Sequence, residues 1–207
     1  SSKEISLTRE TVDLDEVNLP GVLERPRMEE GEIYQPHAFD RPEQIPALSD
    51  FGAAQVTRYT TSTHDKSGYL TTDPAVIQEM IDHYAAKIET AVDEICLYSE
   101  DLQTGADQLL LSYGVTSRAA SVAVDHMRSA GKKVSSLVLQ TLYPVPEQVI
   151  RGALAGISKV VVPEMNMGQY RLEIDRLAPD GVEVVGVNKM DTTLISPTEI
   201  LNQGDLL

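Results

Sequence analysis

The spacing of apolar residues changes character along the chain. Over residues 1–60 it follows no period: Pro20, Pro26, Pro36, Pro42 and Pro46 interrupt it, with acidic side chains between them. Proline at that density excludes long helices and central strands, and so long an irregular run is foreign to a self-contained domain. The pattern predicts an extended arm laid on another surface, with a disordered linker as the alternative. From Asp73 the period becomes helical. Asp73 suits an N-cap and Pro74 the first turn, and Val76, Met80, Ile81, Tyr84, Ile88 and Ile95 recur at helical spacings. One long amphipathic helix is predicted there.

Beyond Gly105 the chain alternates. Strands are predicted over Gln108–Tyr113, Val134–Leu139, Lys159–Val162 and Val182–Val187, and helices over Thr116–Ser129, Pro146–Leu154 and Gly168–Leu177. A last helix starts at Ser196-Pro197-Thr198-Glu199, with Ser196 as N-cap and Glu199 completing a capping box. The strands are continuous Val/Leu/Ile runs, the mark of strands covered on both faces. Strand–helix repetition of this kind gives a mostly parallel sheet with right-handed crossovers. The fold class is therefore three-layer α/β/α over residues 61–207, preceded by the proline-rich arm.

Composition removes several function classes. Of 207 residues, 42% are hydrophobic and 24% charged, and no apolar run approaches the ~18 residues of a membrane span. The first residues are polar and lack the apolar centre of a signal peptide, so a cytoplasmic location is expected. A formal charge of −15 argues against nucleic acid. With Cys96 as the single cysteine, this chain alone has no disulfide framework and no thiolate set for zinc or an iron–sulfur cluster.

In open α/β sheets ligands sit outside the carboxyl ends of the strands. The first such loop, Tyr113-Gly114-Val115-Thr116-Ser117-Arg118, lacks both the three-glycine dinucleotide fingerprint and the Gly-Lys-Ser/Thr of a P-loop. Gly114, Thr116, Ser117 and Arg118 form either an anion cradle or a strand-to-helix corner in which Thr116 or Ser117 caps the helix. After the third predicted strand, Pro163-Glu164-Met165-Asn166-Met167-Gly168-Gln169 offers Glu164 as a buried acid or hydrogen-bond acceptor, with two methionines as adaptable apolar surface. Upstream, His64 and Asp65 are adjacent after four hydroxyl residues, but no nucleophile motif completes a triad. The other histidines, His37, His83 and His126, have no metal-ligand spacing. No catalytic residue and no metal site is assigned.

The stretches TSTHDKSGYLTTDP, LLLSYGVTSRAASVAVDHMRSAGKKV, LQTLYPVPEQVI, KVVVPEMNMGQYRLEI and LISPTEIL resemble, in order and spacing, the C-terminal half of the alpha subunit of 2-oxoacid:ferredoxin oxidoreductases, over roughly residues 57–201. The resemblance implies a transketolase C-terminal-like domain, with the proline-rich arm as the segment joining the two halves of that subunit. It implies oxidative decarboxylation of a 2-oxoacid to acyl-CoA, the 2-oxoglutarate type being favoured. Thiamine diphosphate, Mg, an iron–sulfur cluster and coenzyme A serve the whole complex, none of them bound by this chain alone. The implied partners are the N-terminal pyrimidine-binding part of the alpha subunit, the beta subunit and, through the complex, ferredoxin. Thr61, His64, Asp65, Glu164, Asn166, Gly168 and Gln169 become candidates for the subunit or active-site interface, and the isolated chain is expected to be inactive.

Two departures from the family pattern stand out. Ser62 and Thr63 replace a Gly and a Glu before the histidine, and Asp191-Thr192 replaces Gly-Gly, where a positive φ is then no longer expected. The alternatives to the family reading are a non-catalytic interaction module and a small anion- or CoA-binding α/β domain.

Overall fold

A computed structural model of the chain describes residues 13, 15, 17, 21, 24–29 and 31–206. Pro20 of the arm lies outside the described residues. By internal contacts the chain divides into two compact units, Thr11–Asp93 and Glu94–Leu207.

In the first unit the proline-rich stretch has no helix or strand among its described residues, only an isolated bridge between Arg27 and Leu48. It is nonetheless packed: Tyr34 is buried, and Phe39 stacks on His83 with ring centroids 3.8 Å apart. His83 belongs to helix α1, Pro74–Glu89, where the Asp73 side chain accepts from the Ala75 N–H as the N-cap and Pro74 opens the first turn. The single long helix predicted to Ile95 does not form. At Thr90 the backbone N–H and the hydroxyl both donate to the Ala86 carbonyl, at 2.9 and 2.7 Å, a local side-chain bond that competes with continuation of the helix, and only one further turn, α2 (Val92–Ile95), follows.

The second unit is the sheet domain. Its elements are β1 (Tyr98–Asp101), β2 (Gln108–Tyr113), α3 (Thr116–Ser129), β3 (Val134–Leu139), α4 (Glu147–Ala153), β4 (Lys159–Glu164), α5 (Arg171–Leu177), β5 (Glu183–Asn188) and α6 (Pro197–Gln203). The sheet order is β1-β3-β2-β4-β5, parallel except for β1, which pairs antiparallel to β3. β1 was not expected, since all four of its residues are exposed and three are polar. It is held by register with β3 and by Arg128, whose guanidinium reaches Asp101 at 2.6 Å and the Val134 carbonyl at 2.9 Å.

Strand alternation divides the core into two layers. Leu109, Leu111, Val160 and Val162 face α4 and α5, whereas Leu110 and Val161 face α3 and α6. All six are fully buried. Each contributes about 1.5–3 kcal/mol relative to an exposed position, so the three-layer arrangement follows from continuous apolar strands. The capping box of α6 also forms, with Ser196 and Glu199 exchanging both bonds. No helix among the described residues is long and apolar enough to cross a membrane.

Candidate functional site

β2 and β4 are parallel neighbours, but the helix after β2 packs on one face of the sheet and the helix after β4 on the other. Their carboxyl ends are therefore the switch point at which such sheets open a crevice. Pairing between them stops at Leu110 and Val161, although β4 continues beside β5 to Glu164. The strand was expected to end at Val162. It runs on through Pro163 because the β2 side has already opened there, where a missing N–H is tolerated.

Glu164 closes this opening. Its side chain is fully buried and accepts from Tyr113 Oη at 2.6 Å, Tyr170 N at 2.9 Å, Arg171 N at 3.0 Å and Asn166 Nδ2 at 3.2 Å. Asn166 Nδ2 also donates to Tyr113 Oη at 2.9 Å, and its Oδ1 accepts from the N–H groups of Gly168 and Gln169. These bonds explain why α5 begins at Arg171 and not at the expected Gly168. The intervening N–H groups are held by side chains, and Gly168 sits at φ 88°. Burial, and then the Glu164 carboxylate beside it, push the Tyr113 phenol above its ordinary pKa. Tyr170 is pushed up to about 12, by burial first and by Glu173 second.

The structure thus brings Glu164, Asn166, Gly168 and Gln169 into one network, joined by Tyr113, Tyr170, Arg171 and Asn188, which sequence reasoning had not singled out. Asn188 Nδ2 donates to the Asn166 carbonyl at 3.2 Å. One signal was available: Gly186 stands inside a strand run, the mark of a close approach. A Cβ there would lie 2.6 Å from Asn188 Oδ1 and 2.8 Å from Arg171 Cδ.

The Gly114–Arg118 turn is the corner on the other side of the crevice. Gly114 has φ 56°, and the hydroxyls of Thr116 and Ser117 donate back to the Tyr113 and Gly114 carbonyls, each at 2.7 Å. Neither caps the helix, contrary to expectation: the N-cap position is Val115, with no side-chain cap. Thr116 and Arg118, with Val115, Ala119, Met165 and Ile195, line a cavity of about 150 Å³.

Thr61, His64 and Asp65 belong to the first unit. Thr61 is exposed. His64 Nδ1 donates to the Ser62 carbonyl at 2.8 Å, which leaves Nε2 to accept from Tyr84 Oη at 3.3 Å. The Asp65 carboxylate accepts from the N–H groups of Ser67 and Tyr69, closing a turn that requires Gly68 at φ 81°. Near the last helix, Thr192 has φ 72°. The positive φ of a Gly-Gly turn is therefore kept despite the loss of glycine, with Asp191 Oδ1 accepting from Thr193 N and Oγ1.

The parallel sheet, its switch-point carboxylate and the capped last helix define an α/β module, and residues 106–200 match the family described as pyruvate:ferredoxin oxidoreductase core domain II. The 2-oxoglutarate synthase subunit KorA of Methanocaldococcus jannaschii is 32% identical over 179 residues, 86% of this chain and 48% of that protein. The ketoisovalerate oxidoreductase subunit VorB of Methanothermobacter marburgensis is 37% identical over 120 residues, 58% of this chain and 33% of that one. Over residues 106–200 the chain is thus similar to a core domain II of this type, and it is homologous to KorA and VorB subunits of 2-oxoacid:ferredoxin oxidoreductases.

A solved 2-oxoglutarate:ferredoxin oxidoreductase from Magnetococcus marinus, with 2-oxoglutarate, coenzyme A and succinyl-CoA bound, shares the fold at a TM-score of 0.76 and 19% identity, over 89% of this chain and 32% of that one. The chain spans about half the length of the KorA relatives it matches, 48% and 44% for two of them.

Proposed function

We propose that this chain is the C-terminal, transketolase C-terminal-like portion of an alpha-type subunit in a 2-oxoacid:ferredoxin oxidoreductase of the 2-oxoglutarate type, where it shapes subunit assembly and helps enclose the active site. The carrying observation is the 32% identity to KorA over 86% of the chain. In such a complex thiamine diphosphate would supply the electron sink for decarboxylation, a cluster the route for electrons to ferredoxin and coenzyme A the acyl acceptor. The donor set of this chain does not fit the metal-bound groups. Cys96 is its single thiol, buried and directed at the Pro144 carbonyl, and no three His, Cys, Asp or Glu side chains gather as ligands among the described residues. Those groups, and Mg, belong in this reading to the N-terminal part of the alpha subunit and to the beta subunit.

What this chain supplies is position. The Glu164 network fixes the loops at the carboxyl ends of β2 and β4, including the interface candidates Asn166, Gly168 and Gln169. Thr61, His64 and Asp65, following the arm of residues 1–60, form the second interface element. The reading is tested by 2-oxoacid-dependent viologen or ferredoxin reduction with 2-oxoglutarate, pyruvate and branched 2-oxoacids. Turnover is expected only from the assembled complex and fastest with 2-oxoglutarate; turnover by the purified chain alone would overturn the division of labour.

A further inference from the structure

In the sheet unit, large apolar side chains left in solvent concentrate at one edge. The three most exposed are Met167 at 78%, Tyr143 at 77% and Met190 at 64%. They lie in the loops that follow β4, β3 and β5, all at the carboxyl ends of the parallel strands. Leu194, from the loop after β5, joins the lining of the cavity between Val115, Ala119, Met165 and Ile195. At about 150 Å³ that cavity is smaller than the roughly 300–1,000 Å³ of a small-molecule site. It suits one apolar side chain.

The loops bearing these groups are stiff. Met167 lies between Asn166 and Gly168, whose conformations the Glu164 network fixes. Met190 precedes Asp191, which holds a strained Thr192 at φ 72°. Methionine presented on a fixed loop is interface material, adaptable and apolar. About half of a KorA-type subunit lies outside the matched region, since the chain covers 48% of the M. jannaschii protein. That remaining half is the body available to cover the edge.

We propose that the C-terminal edge of the sheet is the docking surface for the remaining half of a KorA-type alpha subunit. Met167 and Met190 are the inserted side chains, and the cavity beside Met165 receives one apolar side chain of the partner. This rests on the functional reading above.

The test is hydroxyl-radical footprinting of the chain alone and of the assembly recovered through a tag on it, with partners identified by peptide sequencing. Met167, Met190 and Tyr143 are expected to react at least tenfold more slowly in an assembly that contains KorA-type sequence, while Leu102, exposed at the opposite end of the sheet, keeps its reactivity. A Met167→Glu/Met190→Glu variant that melts like the parent should lose the KorA-type partner at least tenfold, and Val122→Glu, on the outer face of α3, should retain it. An assembly that forms with Met167 and Met190 still reactive overturns this surface but leaves the functional reading standing. A chain that comes without any KorA-type polypeptide overturns both.

Discussion

Replacing Glu164 by glutamine separates the role of the buried carboxylate from that of the apolar layers around it. Both oxygens are in use: Oε1 accepts from Tyr113 Oη and Tyr170 N, and Oε2 from Arg171 N at 3.0 Å. Glutamine keeps the shape but offers one acceptor oxygen, so its amide nitrogen must face a backbone N–H that the carboxylate had satisfied. A hydrogen bond to a charged group is worth about 1.5–3 kcal/mol, and stranding a buried donor costs about 1–3 kcal/mol. Glu164→Gln should therefore cost about 3 kcal/mol. Tyr113→Phe removes one donor and strands no backbone group, for about 1.5 kcal/mol. The double variant should cost less than the sum, because both changes break the same bond. Urea denaturation followed by circular dichroism suits a chain with no tryptophan. Losses within about 0.5 kcal/mol of the parent, the range of neutral surface changes, would refute the claim that this carboxylate organises the edge.

Thr192→Gly should stabilise the chain by about 1 kcal/mol in the same assay, since a left-handed φ costs a side-chain-bearing residue about 1–2 kcal/mol and glycine returns only part of that as backbone entropy. Gly68→Ala should destabilise by about 3 kcal/mol, because its Cβ would lie 2.5 Å from the Arg58 carbonyl oxygen at a φ of 81°. The Lys189 ammonium, followed by the backbone and hydroxyl of Ser196, holds the Glu199 carboxyl down to about 2. Its contribution is complete above the ordinary carboxylate value near 4.5 and disappears as pH falls through about 2. Melting points recorded across that window should fall more steeply for the parent than for Glu199→Gln. His37 and His83 are held below the ordinary imidazole value, by burial first and then by His64 for the former and Lys87 for the latter. Protonation therefore opposes folding, and amide protection factors in the Thr11–Asp93 unit, taken against the intrinsic exchange rate at each pH, should fall as pH drops below about 6.5.

How much of this the sequence disclosed depended on how local each determinant is. β2, β3, α3 and the start of α6 lie where their apolar runs and caps placed them, because a run such as Leu109-Leu110-Leu111 has no favourable alternative to burial on both faces. β1 was invisible: Tyr-Ser-Glu-Asp carries no strand pattern, and its place depends on β3 and on Arg128, 27 residues from Asp101. Glu164 could be named as a buried acceptor from its position after a strand. Its short bond to Tyr113 could not, since 51 residues separate the two and only the sheet order makes them neighbours. At Asp191-Thr192 the inference from residue type failed because the fold imposes the turn, and Asp191 stabilises it through Thr193.

The arrangement of acidic groups at the C-terminal edge bears directly on why chemistry is assigned elsewhere. A carboxylate offers about four lone-pair directions, and Glu164 meets four donors while fully buried. A general acid or base must lie within reach of substrate, and this side chain, with no exposed surface, does not. Glu199 is engaged in the same way, by Lys189 and by both the backbone and the hydroxyl of Ser196. Each therefore fixes a loop at the start of a helix, one before α5 and one before α6, without presenting charge to a ligand. The most exposed large apolar side chains on those fixed loops are Met167 and Met190, suited to packing against protein and unsuited to proton or electron transfer, and the exposed Asp191 is engaged by Thr193. On the function and docking surface proposed above such an edge positions a partner, so loss of Glu164 in the assembly should loosen subunit association before it alters the pH profile of turnover. A shifted pH profile with association intact would instead mark Glu164 as part of the chemistry.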